Sequence, residues 1–257
     1  MALRIESVRE KASGTLEVAI SGGLLFHFDS TDAQLCGMRF DSSSCMLMLI
    51  TDDGSRLEFT PKAEVEDEML ESLRRLDQLH AARKVALGLV ARAEQASIQL
   101  YEKLAKKGFS KEAARIAVQW MCENGYVDDR RYVRLLLQSH LVRRGQGPER
   151  LKAIAWPRIG LFENPRIIFA EAFSSIEEES LIEAMRRSAE NVLKRGEIPV
   201  GYRRAMLDDG NEENPAAPLS HSRKLAFLRS WFRHEGFPNY AIDRFLESWE
   251  TENKDES

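Results

Sequence analysis

The chain has 257 residues, 43% of them hydrophobic and 30% charged, with a net charge of −4 at pH 7. That is length enough for one large or two smaller domains with a buried core, and too apolar for a disordered tail. The longest apolar run, residues 45–50, is far short of the roughly 20 residues a transmembrane helix needs. The N-terminus has no apolar signal segment and Cys36, Cys45 and Cys122 fall in no paired spacing, so a cytoplasmic protein without membrane contact is expected.

The charge is uneven. Residues 1–80 carry 8 Lys and Arg against 15 Asp and Glu, residues 81–160 carry 16 against 7, and residues 161–257 carry 13 against 19. The local balances are therefore −7, +9 and −6. A basic middle third points to an acidic or phosphate-bearing partner despite the acidic whole.

The first 60 residues read as β. Leu16, Val18 and Ile20 alternate with Thr15, Glu17 and Ala19, then Gly22-Gly23 offers a tight turn, and Leu24, Phe26 and Phe28 alternate again. Residues 45–50 and 56–60, joined by Asp52-Asp53-Gly54, predict a second hairpin. Thr60-Pro61 then has the pattern of an N-cap followed by proline in the first helical position, with Val65, Met69, Leu73 and Leu76 behind it at helical spacing.

From there to Trp249 the pattern is helical, and it repeats at about 52 residues. Ala81, Val133 and Met185 fall in one apolar column, Val85, Leu137 and Ala189 in a second, and Leu89, Leu141 and Leu193 in a third. A segment with Leu100, Leu104, Gly108, Phe109, Ala113, Ala117, Val118 and Met121 recurs as Leu228, Phe232, Gly236, Phe237, Ala241, Phe245, Leu246 and Trp249. Gly160, Leu161, Phe169 and Phe173 give a degenerate middle copy. Asp128 is placed to cap the helix opening the second repeat, and Ser175-x-x-Glu178 reads as a capping box opening the third. Pro165 and Pro238 are placed to start third helices, and Pro157 should break one.

The expected fold is mainly α: three tandem three-helix repeats forming an elongated curved body, preceded by a small antiparallel β region. The expected divisions are a β region over 1–60, a connecting helix over 61–80, and repeats over 81–128, 129–175 and 176–249. An inserted loop over 196–219 and a disordered tail over 250–257 complete the reading. One three-helix unit buries too little to stand alone, so the units should stack.

Enzyme chemistry finds no support in the motifs. There is no phosphate-binding loop, no Gly-x-Gly-x-x-Gly, no HExxH and no paired-cysteine spacing, so no cofactor or metal is expected. His27, His80, His140, His221 and His234 are dispersed. Asp128-Asp129 is the one tempting carboxylate pair, but adjacent helical residues point about 100° apart, which suits a cap better than a metal clamp. No catalytic residues are assigned.

What stands out is Gly125-Tyr126-Val127-Asp128-Asp129-Arg130-Arg131-Tyr132, followed by Arg143-Arg144-Gly145-Gln146-Gly147-Pro148-Glu149-Arg150-Leu151-Lys152. With Leu104-Ala105-Lys106-Lys107-Gly108-Phe109 ahead of it, this stretch resembles the RecX family of recombination regulators. The likeness is good over 81–175 and weaker over 176–195 and 220–249. Three tandem three-helix repeats, as that family has, agree with the periodicity. The sequence departs from the family at Ala155-Trp156-Pro157-Arg158-Ile159-Gly160 and at the insertion over 196–219.

The resemblance implies a non-enzymatic, monomeric regulator of recombination and DNA repair that binds RecA and the RecA–single-stranded DNA filament. It would hinder ATP hydrolysis, strand exchange and the SOS co-protease activity, with weak non-specific DNA binding of its own. Lys106, Lys107, Arg130, Arg131, Arg134, Arg143, Arg144, Arg150 and Lys152 are the candidate contacts to acidic protein surface or phosphate. Gly125, Tyr126, Asp128, Asp129, Tyr132, Gly145, Gly147 and Pro148 are the candidate structural motif. The two glycines should allow close backbone approach, and Pro148 should start a helix whose N-terminus favours an anion. The alternative is an autonomous DNA-binding repressor that reads the major groove with a helix of 81–160, Gln138 and neighbouring arginines facing base edges. A nuclease would need a carboxylate cluster that the sequence lacks.

Overall fold

A computed structural model describes residues 2–41, 46–50, 56–194 and 221–253, and the chain divides into two compact units, Met1–Asp128 and Asp129–Ser257. It is mainly helical with a small antiparallel β region at the N-terminus. Among the described residues no helix is long and apolar enough to cross a membrane. The expected insertion over 196–219, the turn at 52–54 and residues 254–257 lie outside the described residues.

In the first unit β1 (Ile5–Glu10), β2 (Thr15–Ile20) and β3 (Leu24–Asp29) form an antiparallel sheet in that order. Leu16, Val18, Ile20, Phe26 and Phe28 are buried, with Leu16 opposite Phe28 and Val18 opposite Phe26. Gly22 and Gly23 turn the chain with φ of 90° and 81°, where a Cβ would be strained. Leu24, next to that turn, is exposed rather than buried. A second sheet joins β4 (Met38–Asp41), β5 (Met46–Ile50) and β6 (Arg56–Phe59). Between the sheets lies α1 (Ser30–Leu35), closed at its start by a reciprocal capping box of Asp29 and Asp32.

The helix expected from Thr60-Pro61 starts later, as α2 (Asp67–Val90). The local cap signal loses to pairing with β1: Lys62 N–H donates to Ile5 O (2.8 Å), Ile5 N–H to Ala63 O (3.0 Å) and Val65 N–H to Leu3 O (2.8 Å). Lys62 takes a φ of 76° to make that turn. α2 runs unbroken past residue 80. Met69, Leu73 and Leu76 on its first half join the core under both sheets, and its length also packs against α4. α3 (Ser97–Lys106) and α4 (Lys111–Glu123, capped by Ser110 Oγ on Ala113 N–H) complete the unit.

The second unit begins with α5 (Asp129–Leu136), continues directly into a π-helical turn (Leu137–Val142), and then forms α6 (Pro148–Ala155), α7 (Pro165–Ser174), α8 (Glu178–Lys194), α9 (His221–Glu235) and α10 (Asn239–Asn253). α6 stops two residues before Pro157, as a residue without an N–H requires. Asn164 caps α7 by accepting from Arg166 N–H, with Pro165 in the first position. Two expected helix starts fail. Ser175 closes α7 rather than opening α8, its hydroxyl donating to Ala172 O (2.7 Å). Pro238 sits just before α10, its carbonyl accepting from Ala241 and Ile242. Residues 250–253, expected in a disordered tail, continue α10.

The recurring Gly-Phe segments have one geometry. Gly108 (φ 90°) and Gly236 (φ 82°) end α3 and α9, and Phe109 and Phe237 N–H donate back to Leu104 O (3.4 Å) and Phe232 O (3.0 Å). This 6→1 bond around a left-handed glycine satisfies carbonyls a helix end leaves open. Leu100, Leu104, Ala113, Ala117 and Val118 are buried, and so are their counterparts Leu228, Phe232, Ala241, Phe245 and Leu246. In the second unit Phe232 meets Phe237 and Phe245 edge-on, with centroids 5.5 and 5.2 Å apart. In the apolar columns Val133, Met185, Leu137, Ala189 and Leu141 are buried, whereas Ala81, Val85 and Leu89 are half-buried.

Candidate functional site

The motif residues of 125–132 span the end of the first unit and the start of the second. Gly125 follows α4 with φ of 73°, and Tyr126 stacks on Trp120 with centroids 5.6 Å apart. Asp128 stands directly before α5, the position of a cap. In the second unit Asp129 Oδ2 accepts from Gly160 N–H (2.7 Å), and Tyr132 Oη accepts from the Arg158 guanidinium (3.0 Å). Both side chains therefore brace the turn after α6.

The basic residues divide into two groups. Arg130 is held by two carboxylates of its own unit, Glu163 (2.5 Å) and Glu171 (2.7 Å). Those hydrogen bonds, Glu171 first, raise its guanidinium further above its ordinary value. Arg131 is half-buried, and Lys152 pairs with Glu149 (2.5 Å). Arg134, Arg143, Arg144 and Arg150, by contrast, are exposed. Lys106 and Lys107 are exposed at the end of α3, in the first unit.

Arg134 and the Arg143-Arg144 pair flank the π-helical turn, and the far end of that turn is clamped. Arg187 of α8 donates from Nη1 to Val142 O (3.0 Å) and Arg143 O (3.1 Å), while its Nε holds Glu183 (2.9 Å). Sequence reasoning missed Arg187, because its partners are carbonyls 44 and 45 residues away.

Gly145 and Gly147 do permit close approach, but to the chain itself. A Cβ on Gly145 (φ 65°) would lie 2.7 Å from Ala184 O and Ser188 N of α8, and one on Gly147 would lie 2.6 Å from Glu235 O. Gly147 N–H donates to the Glu235 carboxylate (3.1 Å), next to the buried Pro148 that opens α6. The anion expected at that helix start is thus Glu235, supplied from within the second unit.

Among the described residues one group, in the first unit, has donor atoms close enough for a metal: Asp29, Asp32 and His80. It does not fit one, because a cation already fills the place. Arg83 Nη1 lies 3.0 Å from Asp29 and 2.5 Å from Asp32, with the guanidinium 4.2 Å from the Trp120 ring centroid. His80 Nδ1 lies 2.7 Å from Asp32. Burial works to raise the Asp32 carboxyl, but hydrogen bonds from His80, Arg83 and the Asp29 backbone outweigh it and leave it below its ordinary value. The bond to Asp32 raises His80. The four side chains hold one another in a structural lock.

No family model matches the chain. Curated relatives do. "Regulatory protein RecX" of Pseudomonas fluorescens is 34% identical over 77 residues, 30% of this chain and 49% of the relative. The protein of the same name from Vibrio cholerae is 35% identical over 74 residues, 29% and 48% of the two chains, and that of Vibrio campbellii 29% over 72 residues, 28% and 46%. The chain thus spans about half the length of the curated relatives it matches. Among solved structures, a crystal structure of regulatory protein RecX superposes with a TM-score of 0.60 at 12% identity, over 95% of this chain and 99% of that one. RecX from Lactobacillus salivarius gives a TM-score of 0.51 at 12% identity, over 68% and 98%; these two likenesses speak for the fold. The chain is thus similar in sequence, over about 30% of its length, to several proteins named regulatory protein RecX, and it shares its fold with two RecX crystal structures.

Proposed function

We propose that this protein is a non-enzymatic regulator of recombination and DNA repair that binds RecA and the RecA–single-stranded DNA filament and restrains ATP hydrolysis, strand exchange and SOS co-protease activity. The observation that carries this reading is the division among the arginines of the second unit. Arg130 is consumed by Glu163 and Glu171, whereas Arg134, Arg143, Arg144 and Arg150 face solvent. Exposed cations on a fixed scaffold suit salt-sensitive contact with acidic protein surface or phosphate. The helices from α5 to α7 and from α8 to α10 are read as the second and third repeats of the body that carries them. Lys106 and Lys107 belong to the same reading as additional contacts from the first unit.

The test is co-sedimentation with RecA filaments on single-stranded DNA, set against DNA alone, with RecA ATP hydrolysis followed in parallel. The expected result is filament-dependent binding and suppressed hydrolysis, with no hydrolysis by the protein itself. Tight, sequence-selective binding to naked duplex without an effect on RecA would replace this reading by the repressor.

A further inference from the structure

We propose that a cleft in the second unit docks a linear acidic peptide segment that inserts one large apolar side chain. This does not rest on the RecA reading: it shares only Lys152 with the contacts expected there and uses none of the exposed arginines. The cleft has a volume of about 420 Å³ and lies among Lys152, Trp156, Arg166, Phe169, Ala170 and Phe173. That volume falls at the small end of ligand pockets, the size for one or two side chains.

Its apolar surface comes from α6 and α7. Phe169 and Phe173 stack at 6.3 Å between centroids. Trp156, at the point where α6 ends ahead of Pro157, remains 37% exposed. A tryptophan left this open beside a concave apolar surface is the kind of anchor point partners use. The charge beside it is positive. Arg166 is exposed in the first turn of α7 with no ion pair to any described residue, and the helix N-terminus adds to its field. Lys152 lies 5.8 Å from the Phe169 centroid and already holds Glu149. An apolar recess with the exposed Arg166 at its edge complements an apolar side chain with a neighbouring carboxylate. A nucleic-acid strand fits less well: Phe169 is only 3% exposed, so it offers no face for a base, and stacked strands want successive open rings.

The test uses the full chain and a short fluorescein-labelled peptide with one phenylalanine between aspartates, followed by fluorescence anisotropy. Saturable binding is expected. Ala170→Trp, which fills the cleft from an exposed position, should weaken it at least tenfold, and Arg166→Glu at least fivefold, with unchanged urea midpoints. Peptides with serine for the phenylalanine, or lysines for the aspartates, should not bind over the same range. Arg166→Glu alters only a solvated side chain, so it decides the matter alone if Ala170→Trp fails to fold. Four outcomes overturn the proposal. They are no saturable binding up to millimolar peptide, undiminished binding by Arg166→Glu, displacement of the peptide by oligodeoxythymidylate, and a dimer by sedimentation that Ala170→Trp dissociates.

Discussion

One buried arginine of the first unit and four exposed arginines of the second make a contrast. In the first, Arg83 is 6% exposed, locked to Asp29 and Asp32 and covered by Trp120. Its Nε has no hydrogen-bond partner among the described residues, so even this network is incompletely satisfied there. In the second, Arg134, Arg143, Arg144 and Arg150 stand in solvent on a segment fixed by glycine contacts and by Arg187. A buried charge must be matched inside the fold, so its loss shows as instability. A solvated charge adds little to folding and is free to act on a partner. The same residue type is structural where it is buried or paired, as at Arg83, Arg130 and Arg187, and a candidate for function where it is solvated.

The largest expected effect breaks the buried half of that contrast. Arg83→Met leaves the fully buried Asp32 with His80 as its only side-chain cation among the described residues. Removing one partner from a buried pair costs roughly 3–5 kcal/mol, so urea unfolding should show a loss of that size. A loss below about 1 kcal/mol would mean the lock is solvated. Next come the glycines. Gly145→Ala sets a Cβ 2.7 Å from two backbone atoms of α8 at a φ of 65°, and should cost about 1–3 kcal/mol from strain and displacement. Gly108→Ala has a φ of 90° but nothing within 4 Å, so it isolates the backbone term, about 1–2 kcal/mol. Equal losses at both would show that α8 yields to the extra carbon.

How much of this was legible follows from the range of each interaction. The hairpin of β2 and β3 and the Gly-Phe helix ends are written within a few residues, and both are read correctly. Thr60-Pro61 and Ser175-x-x-Glu178 are equally local, yet misleading: one segment pairs with β1, the other has its serine claimed by the preceding helix. The lock joins Asp29 to Arg83 across 54 residues, and no spacing rule connects them. The Gly145-Gln146-Gly147-Pro148 run announces close approach, but only the fold identifies the neighbours as α8 and Glu235. For the candidate contacts, charge alone could not separate Arg130, held by two glutamates, from Arg143, which is exposed.

The exposed half is tested by Arg143→Glu with Arg144→Glu. Both side chains are solvated, so stability should stay within about 0.5 kcal/mol. On the proposed reading, inhibition of RecA at matched salt should weaken by tenfold or more, since each reversed contact costs roughly 0.5–1 kcal/mol. Raising salt on the wild type should reproduce part of that loss. Reversal of the exposed acids Glu177 and Glu179 is the control and should matter much less. A doubly reversed protein that inhibits like the wild type would move the contact away from these arginines.

The smallest effect sharpens the comparison from the side of pH. His80 has an ordinary value of 6.5, raised first by its hydrogen bond to Asp32, with Asp29 adding and Lys84 opposing. A group whose folded value is raised stabilises fully below its ordinary value, and that contribution fades as pH climbs through the folded one. Asp32, lowered from 3.8, acts in the other direction: its contribution is present above 3.8 and is lost as pH falls through the folded value. Between them these two groups favour the first unit from about pH 4 to 6.5. Because many surface groups titrate over the same range, the useful quantity is the difference in unfolding free energy between wild type and His80→Gln. That difference should be greatest near pH 6 and shrink steadily toward pH 9, since the uncharged imidazole retains its hydrogen bond to Asp32 but loses the ionic part. Its full swing should be well below the cost of Arg83→Met, because Arg83 keeps its charge throughout and continues to hold both carboxylates. A difference independent of pH from 6 to 9 would mean that folding leaves the His80 value unshifted, and one that grows with pH would mean that His80 is held neutral in the folded protein.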